Sequence, residues 1–362
     1  MFQIKSKNYV IIIGLTLIIV LSLGCSRPHF SEENWRKRTD ETQTNLLYAK
    51  HEENGEYFNP WLRTNRGLSD VLTWKLSSTE DYTEEEWNYL PKVLSNVQER
   101  LLKTQAENYI LWIGHGSFIV KTGDQVWLLD PMFSKRALLP SRLTPPALTA
   151  KDINDLFPNV NVVISHNHYD HLDEDSIREL SSDYDFYVPL GLKSTIRDWK
   201  PQSKIIEMDW WQKLTIRDGF ELHCLPAQHW SNRVFEGRNT SLWASYMIVA
   251  PDVTIYFGGD SGYFIGYREI SKKYPKIDYA LIPITAYHPR WFMHEAHMNI
   301  DEAIDAFHDL SAAFFIPTQW GTFHLGDEPA GYPGLDLKRT IQKRGLEANR
   351  YLILDIGGFY EW

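Results

Sequence analysis

Hydrophobic and polar positions divide this chain into three regimes. Tyr9 to Leu23 is a single apolar run preceded by Lys5 and Lys7. From Ser26 to about Gln105 the sequence is polar and irregular, with a charged helical pattern at Glu84–Tyr89 and a second at Lys92–Leu102. From Asn108 onward, short apolar runs with strand spacing come in quick succession. They are Tyr109–Ile113, Ser117–Lys121, Gln125–Asp130, Val160–Ile164, Phe186–Val188, Lys204–Glu207, Lys213–Arg217, Phe220–Leu225, Trp243–Val249, Val253–Phe257, Tyr279–Pro283 and Tyr351–Asp355. Helical periodicity falls between some of these runs, at Ser176–Leu180 and most clearly at Asp301–Leu310. Hairpin-spaced strands early and strand-helix units later predict an α/β (α+β) architecture, a pair of mixed sheets flanked by helices. The expected layout is a leader over residues 1–24, a tether and packed arm over 25–105, and a main domain over 106–362. Neither low-complexity tracts nor short-period repeats interrupt it.

Composition adds limits. A chain of 362 residues with 43% hydrophobic and 14% aromatic content is globular rather than disordered. Its 37 Lys and Arg against 47 Asp and Glu give a net charge of -10, which gives no electrostatic support to a nucleic-acid partner. The first apolar run is short for a membrane span and ends in Leu21-Ser22-Leu23-Gly24-Cys25. That arrangement resembles a bacterial lipoprotein signal, with cleavage after Gly24 and lipidation of Cys25; an uncleaved signal anchor is the alternative. Both put the body outside the cytoplasm against a bilayer. Ser26 after the cysteine favours an outer membrane, the body facing the periplasm. With Cys25 lipidated, Cys224 has no partner within the chain, so no disulfide framework is expected.

The densest candidate chemistry lies in Ser165 to Asp173, which places His166, His168, Asp170 and His171 within six residues. The run sits between a buried strand and the acidic first turn of a helix at Asp173-Glu174-Asp175, hence in a strand-to-helix loop. On extended backbone His166 and His168 point the same way and can meet one ion, while the turn after them carries Asp170 and His171 to a second position. Imidazole with carboxylate suits zinc, manganese or iron better than calcium or magnesium. Further along, His229 stands at a strand end, where it can join His166 and His168. Asp260 is at the tip of a glycine turn, His297 lies just before a helix, and Gln319 follows a strand. Taken singly, these would be a structural histidine, a turn former, a helix cap and a turn residue. The cluster at 166–171 gives them a common centre.

Longer segments carry a resemblance. His166-Asn167-His168-Tyr169-Asp170-His171 is the HxHxDH signature of the metallo-β-lactamase fold. With it stand Phe58-Asn59-Pro60-Trp61, Trp112-Ile113-Gly114-His115-Gly116-Ser117, Pro226-Ala227-Gln228-His229-Trp230-Ser231, Gly259-Asp260-Ser261-Gly262-Tyr263, Pro289-Arg290-Trp291-Phe292-Met293 and Trp320-Gly321-Thr322-Phe323. In this order the set resembles the N-acylphosphatidylethanolamine-hydrolysing phospholipase D family and its bacterial relatives.

The resemblance implies a four-layer αβ/βα sandwich with a dinuclear zinc site at one edge. One ion would be held by His166, His168 and His229, the other by Asp170 and His171, with Asp260 shared. Asp130 and His115 would stand behind the ligands and steady them by hydrogen bonding. Asp170 is the candidate proton acceptor, and His297 the candidate phosphate contact or leaving-group acid. Where the family has a histidine before Trp-Gly-Thr-Phe, this chain has Gln319, a weaker zinc ligand, so one or two ions are expected, with Mn2+ or Fe2+ an option at the second position.

The implied activity is hydrolysis of N-acyl phosphatidylethanolamine or a related phospholipid, a small phosphodiester being an option, by a metal-bound hydroxide. A lactone or ester hydrolase on the same fold is the first alternative. A non-catalytic lipid- or metal-binding envelope lipoprotein is the second. The expected partners are phospholipid and, through the anchor, the membrane; the oligomeric state is open. Trp residues, 14 in all, are candidates for an acyl groove as well as for the core.

Overall fold

The computed structural model describes residues 30–362 apart from positions 65 and 78. The expected leader and Cys25 lie outside the described residues. No helix among the described residues is long and apolar enough to cross a membrane.

The stretch with little periodicity is ordered by side-chain anchors. A helix at Glu32–Asp40 is capped by Ser31, whose hydroxyl accepts from the Asn34 amide at 3.2 Å. A two-residue ribbon follows, β1 (Glu52–Glu53) with β2 (Glu56–Tyr57), then helices at Leu68–Leu76, Glu84–Asn88 and Val97–Lys103. The helix expected at Lys92–Leu102 begins only at Val97. Its first residues pair instead with the C-terminal segment, Leu94 N–H to Ile356 O at 2.9 Å and Ile356 N–H to Lys92 O at 2.9 Å. Trp61 stacks on Phe264 at 5.3 Å between ring centroids and donates to Gln228 Oε1 at 3.0 Å. Asn59 donates to the carbonyl of His229 at 2.9 Å, so the arm buttresses a candidate ligand.

The first sheet opens with an antiparallel meander, β3 (Asn108–Gly114), β4 (Ser117–Thr122) and β5 (Gln125–Leu129). It continues in parallel through β6 (Asn161–Val163), β7 (Asp185–Pro189) and β8 (Ile205–Met208). Helices at Ala150–Leu156, Glu174–Glu179 and Lys193–Trp199 form the crossovers. The second sheet contains β9 (Lys213–Arg217) and β10 (Phe220–Leu225). After a small ribbon, β11 (Asn232–Arg233) with β12 (Gly237–Arg238), it continues with β13 (Ser245–Val249), β14 (Thr254–Phe257), β15 (Ile277–Pro283) and β16 (Ala312–Thr318). Its order is β16-β15-β14-β13-β10-β9, parallel from β14 to β16 and antiparallel elsewhere. The last strand, β17 (Phe359–Glu361), returns to the first sheet and pairs with β3. The strand expected at Tyr351–Asp355 is reduced to one bridge between Tyr351 and Phe315, because the chain leaves β16 there to reach β3.

Strand periodicity explains the layers. Ile110, Trp112, Phe118, Val120, Trp127 and Leu129 face the second sheet, where Leu222, Tyr246, Ile248 and Phe257 meet them. Their alternates Leu111, Ile113, Ile119 and Leu128 pack against Ile153, Ile177 and Ile196 of the crossover helices. On the far side the helix Ile300–Asp309 lies on β15 and β16, between helices Gly266–Lys273 and Tyr332–Arg344. The result is the expected α/β sandwich of two mixed sheets between helical layers. Because β3, β5, β6, β10, β14 and β16 run the same way within their sheets, their C-terminal ends share an edge in each. The candidate ligands follow those ends.

Candidate metal centre

His166 and His168 follow β6, and the loop then turns, with the amides of His171 and Leu172 both donating to His168 O at 3.1 and 2.8 Å. The turn hands over to the next helix at Asp173, whose carboxylate accepts from Ser176 N–H at 3.2 Å. Asp130, at the end of β5, anchors this loop from behind. It accepts from Ser165 N–H at 2.7 Å, from Ser165 Oγ–H at 2.6 Å and from His171 Nδ1–H at 2.6 Å. His229 follows β10. Asp260 follows β14 on a turn that needs glycine at 259, where φ is +57° and an added Cβ would lie 2.6 Å from Ser165 Cβ.

These side chains converge. His166, His168, His229 and Asp260 each place one ligand atom within 4.8 Å of the others, and His115, Asp170 and His171 do the same in a second group. The groups meet at Asp260, whose Oδ2 lies 3.4 Å from His229 Nε2 and whose Oδ1 lies 3.3 Å from His171 Nε2. His166, His171, His229 and Asp260 are buried.

The proton positions show what the convergence is for. His229 Nδ1 lies 3.1 Å from the carbonyl of Ala296, which can only accept, so Nδ1 carries the proton and Nε2 turns its lone pair inward. His171 is fixed in the same way by Asp130, and His166 by Ser165 Oγ, whose own proton goes to Asp130. His166 Nε2 and His229 Nε2 therefore both face His168 Nδ1, at 2.8 and 3.1 Å, and His171 Nε2 faces Asp260 Oδ1 at 3.3 Å and Asp170 Oδ2 at 3.5 Å. A proton on His168 Nδ1 can satisfy only one of the two lone pairs aimed at it, and a lone pair left over among carboxylates in a dry interior is costly unless a cation lies there. The donor set fits one or more divalent ions of the kind that take imidazole and carboxylate.

The electrostatics agree at His166, His168, His229 and Asp260, while His171 favours the protonated ring, whose charge a bound ion would replace. Burial, with neighbouring imidazoles adding to it, holds His166 well below the usual histidine range. Burial likewise pushes His168 down to about 4, against the pull of Asp170 and Asp260. Burial would lower His171 too, but Asp260, Asp170 and Asp130 outweigh it and raise it well above its ordinary value. Asp260 is held well below the usual carboxylate range, because His171, His229 and His166 overcome the cost of burying its charge. Neutral imidazoles and ionised carboxylates are the forms that bind metal.

A family profile described as "Beta-lactamase superfamily domain" matches residues 126–320. The chain belongs to that superfamily. Its two-sheet architecture is the metallo-β-lactamase fold. An uncharacterized protein of Mycobacterium tuberculosis is 38% identical over 236 residues, 62% of this chain. The match covers 61% of that relative's length. N-acyl-phosphatidylethanolamine-hydrolyzing phospholipase D 1 of Caenorhabditis elegans is 29% identical over 340 residues, 87% of this chain and 95% of that one. Among solved structures, a metallo hydrolase of the archaeon Ignicoccus hospitalis overlays with a TM-score of 0.55 at 19% identity, covering 70% of this chain and 99% of its own.

The remaining superfamily-site candidates fall around this centre. His297 stands apart from both ligand groups. Its ring centroid is 5.2 Å from that of His229, its Nδ1 is buried without a partner, and burial lowers its pKa. Gln319, after β16, is buried and donates its side-chain amide to Gly259 O at 3.0 Å and to Asp260 Oδ1 at 2.5 Å. His324 is exposed and packs edge-on against Trp87 at 5.6 Å. His115, expected with Asp130 to steady the ligands, brings Nε2 to 3.0 Å from Asp170 Oδ2.

One structural feature is absent from the sequence reading. The centre forms the floor of a cavity of about 420 Å3, walled by Leu68, Val71, Trp74, Phe292, Met293 and Leu325. Arg66 and Arg238 also line it. Half of that wall belongs to the helix Leu68–Leu76, in the stretch read as an irregular arm. Its leucines at 68, 72 and 76 recur at the helical spacing that could have revealed it.

Proposed function

We propose that this protein hydrolyses the head-group phosphodiester of a membrane phospholipid, N-acyl phosphatidylethanolamine foremost, releasing phosphatidic acid. The observation that carries the reading is the apolar cavity opening directly onto the ligand cluster, with acyl-compatible walls above and phosphate chemistry below. The likeness to the nematode phospholipase D supports the same substrate class. Exposed Leu68, Leu72 and Leu76 continue the apolar surface outward from the cavity, as an enzyme drawing lipid from a bilayer would need. The lipidated Cys25 expected from the sequence would tether it in a bacterial envelope, on the periplasmic side of an outer membrane.

In this reading His166, His168 and His229 would hold one divalent ion and Asp170 and His171 another, with Asp260 beside both groups. Bound ions supply Lewis acidity toward phosphate and lower the pKa of water. The chain's own groups do the rest. Water adds across the phosphorus–oxygen bond, its oxygen going to phosphorus and a proton to the departing head-group alcohol. Asp170, facing the cavity, is placed to accept the proton that water gives up. His297, kept neutral by burial, is placed to donate a hydrogen bond to a phosphate oxygen, or to relay to the leaving oxygen the proton that Asp170 took from water.

The test presents the purified full chain with vesicles of N-acyl phosphatidylethanolamine, phosphatidylethanolamine and phosphatidylcholine, with a lactone and ester panel in parallel. Phosphatidic acid formed in a chelator-sensitive reaction is the expected product. Turnover confined to lactones or esters assigns the centre to another bond, and tight lipid binding with no product makes the protein a carrier.

A further inference from the structure

His115 sits at the turn between β3 and β4, fully buried, with φ +50°. Its Nδ1 lies 3.0 Å from the main-chain carbonyl of Gln319. A carbonyl only accepts, so Nδ1 carries the proton and the lone pair of the neutral ring is on Nε2. That nitrogen faces Asp170 Oδ2 at 3.0 Å. Across the same carboxylate oxygen, His171 Nε2 stands 3.5 Å away, its own Nδ1 proton committed to Asp130. The Nε2 atoms of two imidazoles and a carboxylate oxygen thus converge, and the neighbouring Asp260 Oδ1 lies 3.3 Å from His171 Nε2. The turn bearing His115 is pressed onto this cluster, since a Cβ at Gly116 would lie 3.2 Å from His171 Cε1.

Gln319 is oriented differently. Its amide nitrogen faces Gly259 O, and exchanging nitrogen and oxygen would set two carbonyl oxygens against each other at 3.0 Å. The nitrogen therefore stays there, with a hydrogen directed at Asp260 Oδ1. An amide nitrogen has no lone pair free for a cation. The Gln319 main chain meanwhile holds His115 twice, its carbonyl accepting from Nδ1 and its amide donating to His115 O at 3.0 Å.

We propose that His115 is the imidazole that completes the second cation position, together with Asp170, His171 and Asp260. Gln319 is a positioning residue that aims Asp260 and sets the tautomer of His115. The position then has two imidazoles and two carboxylates, a set that takes Zn2+, Mn2+, Fe2+ or Co2+ without an amide ligand. The role of the glutamine is to hold two ligands in place. This concerns the cation and stands whatever the substrate, so failure of the lipid assays leaves it untouched.

The experiment strips the full chain of metal, reloads it with Zn2+ or Co2+, and counts ions by elemental analysis after gel filtration. Co2+ absorption spectra report each position. The wild type is expected to take two ions. His115→Ala is expected to lose the second ion, or to bind it about tenfold or more weakly. Gln319→Ala is expected to keep two ions with a smaller loss of affinity. In unmutated protein labelled with 15N-histidine, loading with Zn2+ should move one nitrogen of each of His115, His166, His168, His171 and His229 to ligated shifts, a readout immune to folding defects in the variants. Nitrogen shifts of His115 indifferent to metal would overturn the proposal. So would a wild type that takes one ion only, or a His115→Ala chain that keeps both at wild-type affinity.

Discussion

Asp130 ties the ligand loop to the first sheet through one carboxylate that receives three protons, two from Ser165 and one from His171. Asp130→Ala leaves those donors unpaired in a dry interior, at about 1–3 kcal/mol each, and frees His171 to rotate. Metal affinity should fall on the order of 10–100-fold in a competitive chelator titration; wild-type affinity would show that the loop holds itself. Glu328 gives a pH prediction away from the centre. Burial pushes its carboxyl up to about 7 from 4.5, against the amides of Tyr287 and His288 that donate to it. Between those values the folded chain binds a proton that the unfolded chain has released, so this group's contribution to stability falls as pH rises from about 4.5 to about 7. Glu328→Gln should therefore gain on the wild type by roughly 3 kcal/mol between pH 4.5 and 8 in urea unfolding. A pH-independent difference would refute the assignment. At this scale the HxHxDH ligands were legible because their spacing is local. His115 was not, because only the approach of the first turn to Asp170 reveals where its Nε2 points.

The helix Leu68–Leu76 contributes Leu68, Val71 and Trp74 to the cavity wall, and Trp74 stacks on Phe292 at 4.8 Å. It was hidden in the sequence because it is short and takes its order from contacts with distant residues, among them the bond from Trp74 Nε1 to Asp327 Oδ1 at 2.8 Å. If the groove holds acyl chains, Leu72→Glu and Trp74→Ala should raise KM for vesicle substrate about tenfold or more while leaving turnover of a small soluble phosphodiester within about twofold, since an apolar side chain covered by bound lipid contributes roughly 1.5–3 kcal/mol. Equal losses on both substrates would place the helix in the chemistry or in folding instead. The strands behind the ligands were legible, because the near-continuous apolar runs of β3 to β5, β14 and β15 fit sheets buried on both faces. The closing strand β17 was not, since Gly357 and Gly358 break the pattern that leads to it.

Across the whole molecule, two sheets bring loops from residues 115 to 319 to a shared edge, so the centre is complete only when the sandwich is closed. Metal binding and folding are then linked. Stripping the ions should lower Tm by several degrees, and reloading should restore it in step with ion content; a Tm indifferent to metal would mean that the acceptor cluster is satisfied without cations. The fold could be read from periodicity and the candidate ligands from motif order, but the apolar cavity needed three dimensions, because its walls come from the arm, the segment after β15 and the end of the edge that carries those candidates. The most direct test follows hydrolysis of N-acyl phosphatidylethanolamine vesicles in 18O-enriched water by metal-loaded and chelator-stripped protein. Phosphatidic acid with one 18O on phosphorus is expected, from the loaded protein alone. Product with unlabelled phosphorus, or equal turnover after stripping, would contradict the proposed function.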